Sequence, residues 1–283
     1  MNDFTDEKNL KKIYYGRTTK LQHRLDAWER FGTNKIKFFD WVALQLPELK
    51  GRFNILDAGC GTGRLLSRLG KKYKGAELYG VDISPAMVKA TKLAVSKMNK
   101  RNILEADIKK LPFHSDYFAV VTATHVLYHV PDISGAIKEL KRVLKPGGII
   151  FITTTDYDLE QGLNKIHYEA LRKLHFPKFM QDKNSYLRFP PIFASNVLKK
   201  YFPKVTTFKF RNDLVYTNAN DCFGYYQTAM MYRNSRGVND ERVPAKLWQD
   251  LAKEVKGKIV KKIKKNGQLI VKGKVFGFKA YKA

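Results

Sequence analysis

Short continuous apolar runs alternate along this chain with stretches whose apolar side chains recur every three or four positions. The runs are Phe53 to Leu56, Ala76 to Val81, Asn102 to Ala106, Ala119 to Ala123 and Ile149 to Ile152. Unbroken apolar stretches of this length, bounded by turn residues, read as parallel strands buried on both faces. Between them a helix should start just after Gly63. A second should follow Ser84-Pro85, with Ser at the N-cap and Pro at the first helical position. A third should end at Lys141 to Gly148.

Ahead of the strands, Ile13, Leu21, Leu25, Trp28 and Phe31, then Ile36 to Leu46, keep helical spacing across a break at Gly32-Thr33-Asn34. Two helices are expected there, with the break as a hinge or a cofactor-facing turn. Beyond strand five, Asp158 to Leu174 is helical in pattern and Phe176 to Phe193 is aromatic and broken by prolines. A short helix over Ala194 to Phe202, strand six at Lys204 to Arg211 and a helix over Asn220 to Tyr232 follow. Trp248 to Lys265 is a strongly basic amphipathic helix, and Gln268 to Tyr281 reads as a hairpin partner of strand six.

The first strand runs into Asp57-Ala58-Gly59-Cys60-Gly61-Thr62-Gly63. Alternating glycines mark a turn where backbone comes close to a ligand, and N–H groups at the following helix start can hold its polar groups. The acid Asp57 would repel a pyrophosphate and favour a ligand that carries positive charge. Asp82 closes the second strand, about 20 positions beyond the loop, where a carboxylate fits the diol of a ribose. Asp107 follows the third strand. Each acid alone could be an ordinary turn residue; three of them at successive strand ends converge on the crevice where open α/β sheets bind ligands.

This order of signals, roughly residues 50–155, resembles the class I S-adenosylmethionine-dependent methyltransferases. The resemblance implies a Rossmann-like, doubly wound seven-stranded sheet, mostly parallel with the last strand antiparallel. It also implies an N-terminal helical lid over 1–49 and a methyltransferase domain over 50–283. Residues 156–203 and 217–265 are expected to be substrate-covering insertions. The implied cofactor is S-adenosylmethionine, leaving as S-adenosylhomocysteine. Its expected contacts are Asp57 near the methionine end, Gly59, Gly61, Gly63, the ribose ligand Asp82, Ile83, Met87, Ala106, Asp107 at the adenine, Ile108 and Thr124. The family often has Asp after Phe118, where this chain has Ala119.

Where the acceptor is a hydroxyl or a protonated amine, a histidine is the usual base. His129 is the first candidate and His125, four residues earlier, the second; a helical turn there would put both rings on one face. Tyr14, Tyr15, Tyr128, Tyr225 and Tyr226 are expected acceptor contacts. His114, His167 and His175 carry no motif and are left as surface or cap residues.

Composition narrows the setting. Among 283 residues, 44% are apolar, enough for one α/β core with an elaboration, and the formal net charge is +27. With only Cys60 and Cys222, a disulfide framework is excluded and no Cys or His spacing suits a metal. No run is apolar and long enough to span a membrane, and the start lacks a secretory pattern, so a cytoplasmic monomer or homodimer is expected. The charge attracts anions and predicts non-specific nucleic acid binding. The lysines are dispersed, however, and Thr124-His125-Val126-Leu127 stands where many nucleic-acid N-methylating enzymes carry an Asn-Pro-Pro-Tyr-like tetrad. Leu127-Tyr128-His129-Val130-Pro131-Asp132 resembles enzymes of small metabolites. A small-molecule O- or N-acceptor, anionic ones included, is therefore expected first, RNA second, and a non-catalytic cofactor-binding protein third.

Overall fold

In the computed structural model, which describes residues 18–98, 101–156, 161–181, 188–231 and 243–283, the apolar runs become strands whose successive side chains part to opposite sides. Helices α1 (Thr18–Arg30) and α2 (Phe38–Gln45) precede β1 (Phe53–Ala58). Then come α3 (Arg64–Lys72), β2 (Ala76–Asp82), α4 (Pro85–Ala94), β3 (Arg101–Glu105), β4 (Phe118–Thr124), α5 (Ile133–Val143) and β5 (Leu144–Asp156). Ile55, Val120, Ile149 and Phe151 meet α2, α3 and α4 on one side through Trp41, Val42, Leu65, Leu66 and Val88. Their chain neighbours Leu56, Val121, Ile150 and Ile152 meet α5 on the other, through Ala136, Ile137 and Leu140. A period of two with both faces covered explains why these strands read as unbroken apolar runs.

The sheet order is β3-β2-β1-β4-β5-β9-β6. Strands β1 to β5 are parallel, and β9 (Lys274–Tyr281) lies antiparallel between β5 and β6 (Val205–Arg211). The sequence therefore winds outward from β1 in one direction and from β4 in the other. The gap between the carboxyl ends of β1 and β4 is the switch point at which such sheets bind ligands. The expected seven-stranded, mostly parallel sheet is present. The expectation for 268–281 needs a correction: it forms two strands, not one. Leu269–Val271 is β8 and pairs with β7 (Leu214–Tyr216) in a separate ribbon, and only β9 joins β6. The break falls at Gly273, whose N–H is held by the Asp213 carboxylate at 3.0 Å.

A cap with its own core sits on this sheet. It comprises α6 (Gly162–Lys173), α7 (Lys178–Gln181), α9 (Ala219–Tyr226) with a π-helical turn over Gln227–Met231, α10 (Ala245–Asn266) and the β7–β8 ribbon. The remaining helix α8 (Pro191–Lys199) packs on the main core beside α5. Leu163, Leu171, Tyr216, Tyr226, Trp248, Leu251 and Val255 are fully or almost fully buried in the cap, and Trp28 and Phe31 of the N-terminal segment pack against them.

A knot of polar contacts fastens the N-terminal helices to the cap. Asn212 accepts from the Asn34 N–H (2.9 Å) and donates to the Trp28 carbonyl (3.2 Å). Its own N–H goes to the Gly273 carbonyl at 2.9 Å. Asn34 donates to the Arg211 carbonyl, and the Thr33 N–H to the Asp213 carbonyl, each at 2.9 Å. Space here is filled: a Cβ at Gly273 would lie 2.4 Å from the Trp28 ring and one at Gly32 would lie 2.4 Å from Asn212 Oδ1. Asn212→Ala leaves the part-buried Asn34 N–H and Trp28 carbonyl without this partner. It should lower stability by about 2–3 kcal/mol, read as a reduced urea midpoint with unchanged slope. A midpoint equal to that of the unsubstituted protein contradicts the knot.

Candidate functional site

The carboxyl ends of β1, β2 and β4 open into a cavity of about 410 Å3. Its floor is the glycine turn. Gly59, Gly61 and Gly63 have φ of 77°, 55° and 75°, the left-handed region that glycine enters without strain. They serve different ends. A Cβ on Gly59 would collide with Val126 at 2.6 Å, whereas one on Gly61 meets only the tip of Leu21 at 3.9 Å and would project into the cavity. Gly63 lies behind the wall as the N-cap of α3.

Asp82 holds this floor in shape. Its Oδ2 accepts the Gly61 N–H and its Oδ1 the Ser84 N–H, both at 2.9 Å. Burial pushes its carboxyl above the ordinary value, opposed by the N–H groups of Ser84, Gly61 and Ile83. With three N–H donors on two oxygens, the carboxylate keeps some acceptor capacity for a ligand on the cavity side. Ser84 caps α4 as its sequence predicts, taking the Met87 N–H at 3.4 Å. Asp107 is anchored by the Lys109 N–H at 2.9 Å. Asp82, Ile83, Met87, Ala106, Asp107, Ile108 and Thr124 all line the cavity.

Asp57 does not line it. It is 1% exposed and receives a 2.7 Å bond from the Thr122 hydroxyl, across the β1–β4 pairing at the switch point. Burial, with the nearby Asp82 charge adding to it and the Thr122 bond opposing, raises its carboxyl from the ordinary 3.8 to about 7. The folded state thus keeps this proton to about pH 7, while the unfolded chain loses it near pH 4.

His125 is fixed in the left-handed region (φ 54°), with its N–H on Thr153 Oγ1 at 3.2 Å and Nδ1 beside Thr155 Oγ1 at 3.3 Å. Its ring lies 4.9 Å from that of Phe38. His129 ends a single 3-10 turn over Leu127–His129, with its ring 4.5 Å from that of Tyr128. Both imidazoles and Tyr128 line the cavity. The backbone reverses at His125 instead of entering a regular helix, so the predicted single helical face for the two rings is not formed.

The outer wall comes from the N-terminal segment and the cap. Leu21, Arg24, Leu25 and Trp28, spaced along one side of α1, face the cavity. Trp28 meets Tyr225 edge-on at 6.1 Å, and Phe38 meets Phe210 at 5.8 Å. Arg64, the first residue of α3, reaches Glu29 at 2.8 Å and Asp26, which ties α1 to the glycine turn. Tyr225 is on the wall, but its neighbour Tyr226 is not: it is fully buried in the cap, where its hydroxyl meets His167 Nδ1 at 2.9 Å. Tyr226 is therefore removed from the acceptor contacts. Burial holds His167 neutral, its pKa lowered to about 3. Tyr14 and Tyr15 lie outside the described residues.

The sequence reading missed Arg24, Phe38, Asn34, Asn212, Phe210 and the Lys272 to Val275 turn, all on the wall. Only the Gly32-Thr33-Asn34 break signalled that this region turns toward the site. Among the described residues no group of His, Cys, Asp and Glu could hold a metal ion, and no helix is long and apolar enough to cross a membrane.

Residues 56–152 match the family model described as "Methyltransferase domain". Sterol 4-C-methyltransferase strm-1 of Caenorhabditis elegans is 38% identical over 136 residues, 46% of this chain and 39% of that protein. Demethylmenaquinone methyltransferase of Staphylococcus haemolyticus is 31% identical over 135 residues, 46% of this chain and 56% of that protein. The chain thus spans roughly two fifths to just over half of the length of these relatives. The fold is shared with phosphoethanolamine N-methyltransferase 2 of Haemonchus contortus in complex with S-adenosyl-L-methionine. That likeness has a TM-score of 0.54 and 17% identity, and it covers 91% of this chain and 56% of that one.

The state of Asp57 makes a prediction. Between pH 4 and pH 7 the native state binds the extra proton, so this group's contribution to stability declines as pH rises, by on the order of 4 kcal/mol in all. Asp57→Asn should remove that decline. Urea unfolding of both proteins across the window should show the variant gaining on the unsubstituted protein toward pH 7. Parallel curves would mean that Asp57 ionises normally.

Proposed function

We propose, from the premise that this chain belongs to the class I S-adenosylmethionine-dependent methyltransferases, that it transfers the cofactor's methyl group to an oxygen or nitrogen of a small acceptor. The observation that carries this reading is the shape of the site. The glycine turn and two strand-end acids form the floor of a cavity whose outer wall is aromatic and whose sides come from α1, the cap and the β8–β9 turn. A volume of about 410 Å3 lies in the range of small-molecule sites.

The residues present fit the cofactor. Asp82, at the cavity wall, would take the ribose hydroxyls, Gly61 leaves its Cα face bare toward the ligand, and Met87, Ile108 and Ala106 would give apolar walls for adenine beside Asp107. When bound, the cofactor supplies an electrophilic methyl on a sulfonium. The chain's task is then to hold the acceptor atom in line with that methyl and to keep water out. Trp28, Phe38, Phe210 and Tyr225 would hold the acceptor body, and Tyr128 would lie beside its reacting end. His129 would take a proton from the acceptor. His125, fixed through Thr153 and Thr155, would serve better to shape the wall than to move.

An apolar acceptor body suits the aromatic wall, and two relatives bear the names sterol 4-C-methyltransferase and demethylmenaquinone methyltransferase. Lys35, which also lines the cavity, extends the reading to acceptors that carry an anionic group, whereas Lys272 and Lys274 there are paired with Asp213 and Asp156. An RNA acceptor is the second reading, favoured by the net charge of +27.

Two experiments test this function. Gly61→Ala places a methyl group in the cofactor's space at a left-handed strain cost of about 1–2 kcal/mol. Calorimetry should show S-adenosylhomocysteine affinity reduced by an order of magnitude or more in a protein that still unfolds cooperatively. Undiminished affinity would mean that the turn does not face the cofactor. Methyl transfer from labelled cofactor, offered to total RNA and to a small-metabolite extract, should put label in the small molecules and lose most of it in His129→Ala. Label in RNA alone would promote the second reading.

A further inference from the structure

We propose that the outer face of the cap, formed by α10 and α6, is a docking surface for an anionic lipid bilayer. Trp248, Leu251, Val255 and Ile259 of α10 are buried in the cap core, which fixes the rotation of the helix and leaves the opposite side to solvent. At 100° per residue, Lys246, Lys253 and Lys264 fall within about 20° of one another on that opposite side, with Lys256 and Lys261 on its flanks. All five are exposed. Val260, 43% exposed, lies among them.

The two helices carry eleven Lys and Arg and three Asp and Glu, a net of +8. Two of the three acids are engaged in ion pairs, and the third, Asp250, lies on the outward side about 40° from Lys246 and Lys264. Glu254 pairs with Lys173 at 2.8 Å and also feels Lys258 and Lys261; Glu169 pairs with Lys258 at 3.0 Å and also feels Lys165 and Arg172. These pairs join α6 to α10 into one rigid basic surface roughly 33 Å long. The five lysines Lys246, Lys253, Lys256, Lys261 and Lys264 therefore leave the outward side with a positive excess even with Asp250 among them.

The chemistry of the face selects the partner. Ten of the eleven cations on the two helices are lysines, point charges on flexible stems, and the exposed side of α10 carries no aromatic ring on which a base could stack. Base-reading and single-strand sites add the planar arginine fork and stacking platforms to their phosphate contacts. A helix whose lysines number four to eight and whose opposite face is buried in its own domain suits attraction to the diffuse charge of anionic headgroups.

The test uses the full chain and sedimentation with vesicles of phosphatidylglycerol and phosphatidylcholine, with pure phosphatidylcholine vesicles as the uncharged arm. Binding should need the anionic lipid and should be lost as salt rises from about 0.05 M to about 0.5 M, where the screening length contracts to a few ångströms. Each lysine at the surface contributes about fivefold, so Lys246→Gln, Lys253→Gln, Lys261→Gln and Lys264→Gln together should weaken binding by about a hundredfold or more. A control with Lys71→Gln, Lys89→Gln, Lys92→Gln and Lys199→Gln removes equal charge from other exposed positions and should retain most of the binding. Both variants should keep the thermal midpoint of the parent. The proposal is overturned if the two variants weaken alike, if binding ignores anionic lipid, or if the α10 variant loses affinity for mixed RNA while vesicle binding is unchanged.

Discussion

The Asp82 carboxylate, shared between the N–H groups of Gly61 and Ser84, is the contact on which the site depends. It joins the end of β2 to the turn after β1 and to the start of α4, three segments that would otherwise be separate loops. A charged acceptor in a nearly buried place makes these bonds stronger than neutral ones. The arrangement is tolerable in energy because the donors are fixed by the parallel sheet: the Gly59 and Cys60 N–H groups are both held by the Val81 carbonyl. Asp57 takes the opposite solution. Deep at the switch point, with one hydroxyl as partner, its carboxyl is raised to about 7, which lessens the negative charge beside Asp82.

The sheet edge explains how an acceptor chamber is added to this floor. β9 enters antiparallel between β5 and β6, so the chain leaves and returns at the same end of the sheet, and the cap is strung between these two passages. The α1–α2 segment then closes the remaining side. Its attachment is polar at Asn34 and Asn212 and apolar at Trp28 and Phe31. One buried asparagine thus ties three stretches of chain that the sequence separates by more than 60 positions.

What was legible in the sequence was local. The glycine turn, the Ser84-Pro85 cap and the acids Asp82 and Asp107 each sit within a few residues of the strand that defines them, and all lie where their spacing predicts. The knot was not legible, because hydrogen bonds between residues 178 positions apart leave no periodic trace. Tyr225 and Tyr226 show the same limit at one helix: neighbours 100° apart, one turns to the cavity and one to the cap core. The choice between them depends on His167, a distant partner that no motif announces. Likewise, continuous apolar character gave strand β9 but not its separation from β8, which depends on Gly273 fitting under Trp28.

The central claim is that one cavity holds the cofactor on the Asp82 floor and presents it to the aromatic wall. A crystal structure of the protein with S-adenosylhomocysteine tests this most directly. The account predicts the ribose hydroxyls on Asp82, the adenine beside Asp107 and the sulfur turned toward the wall that carries His129, Trp28 and Tyr225. A nucleoside bound elsewhere, or bound with its sulfur turned away from that wall, would contradict it.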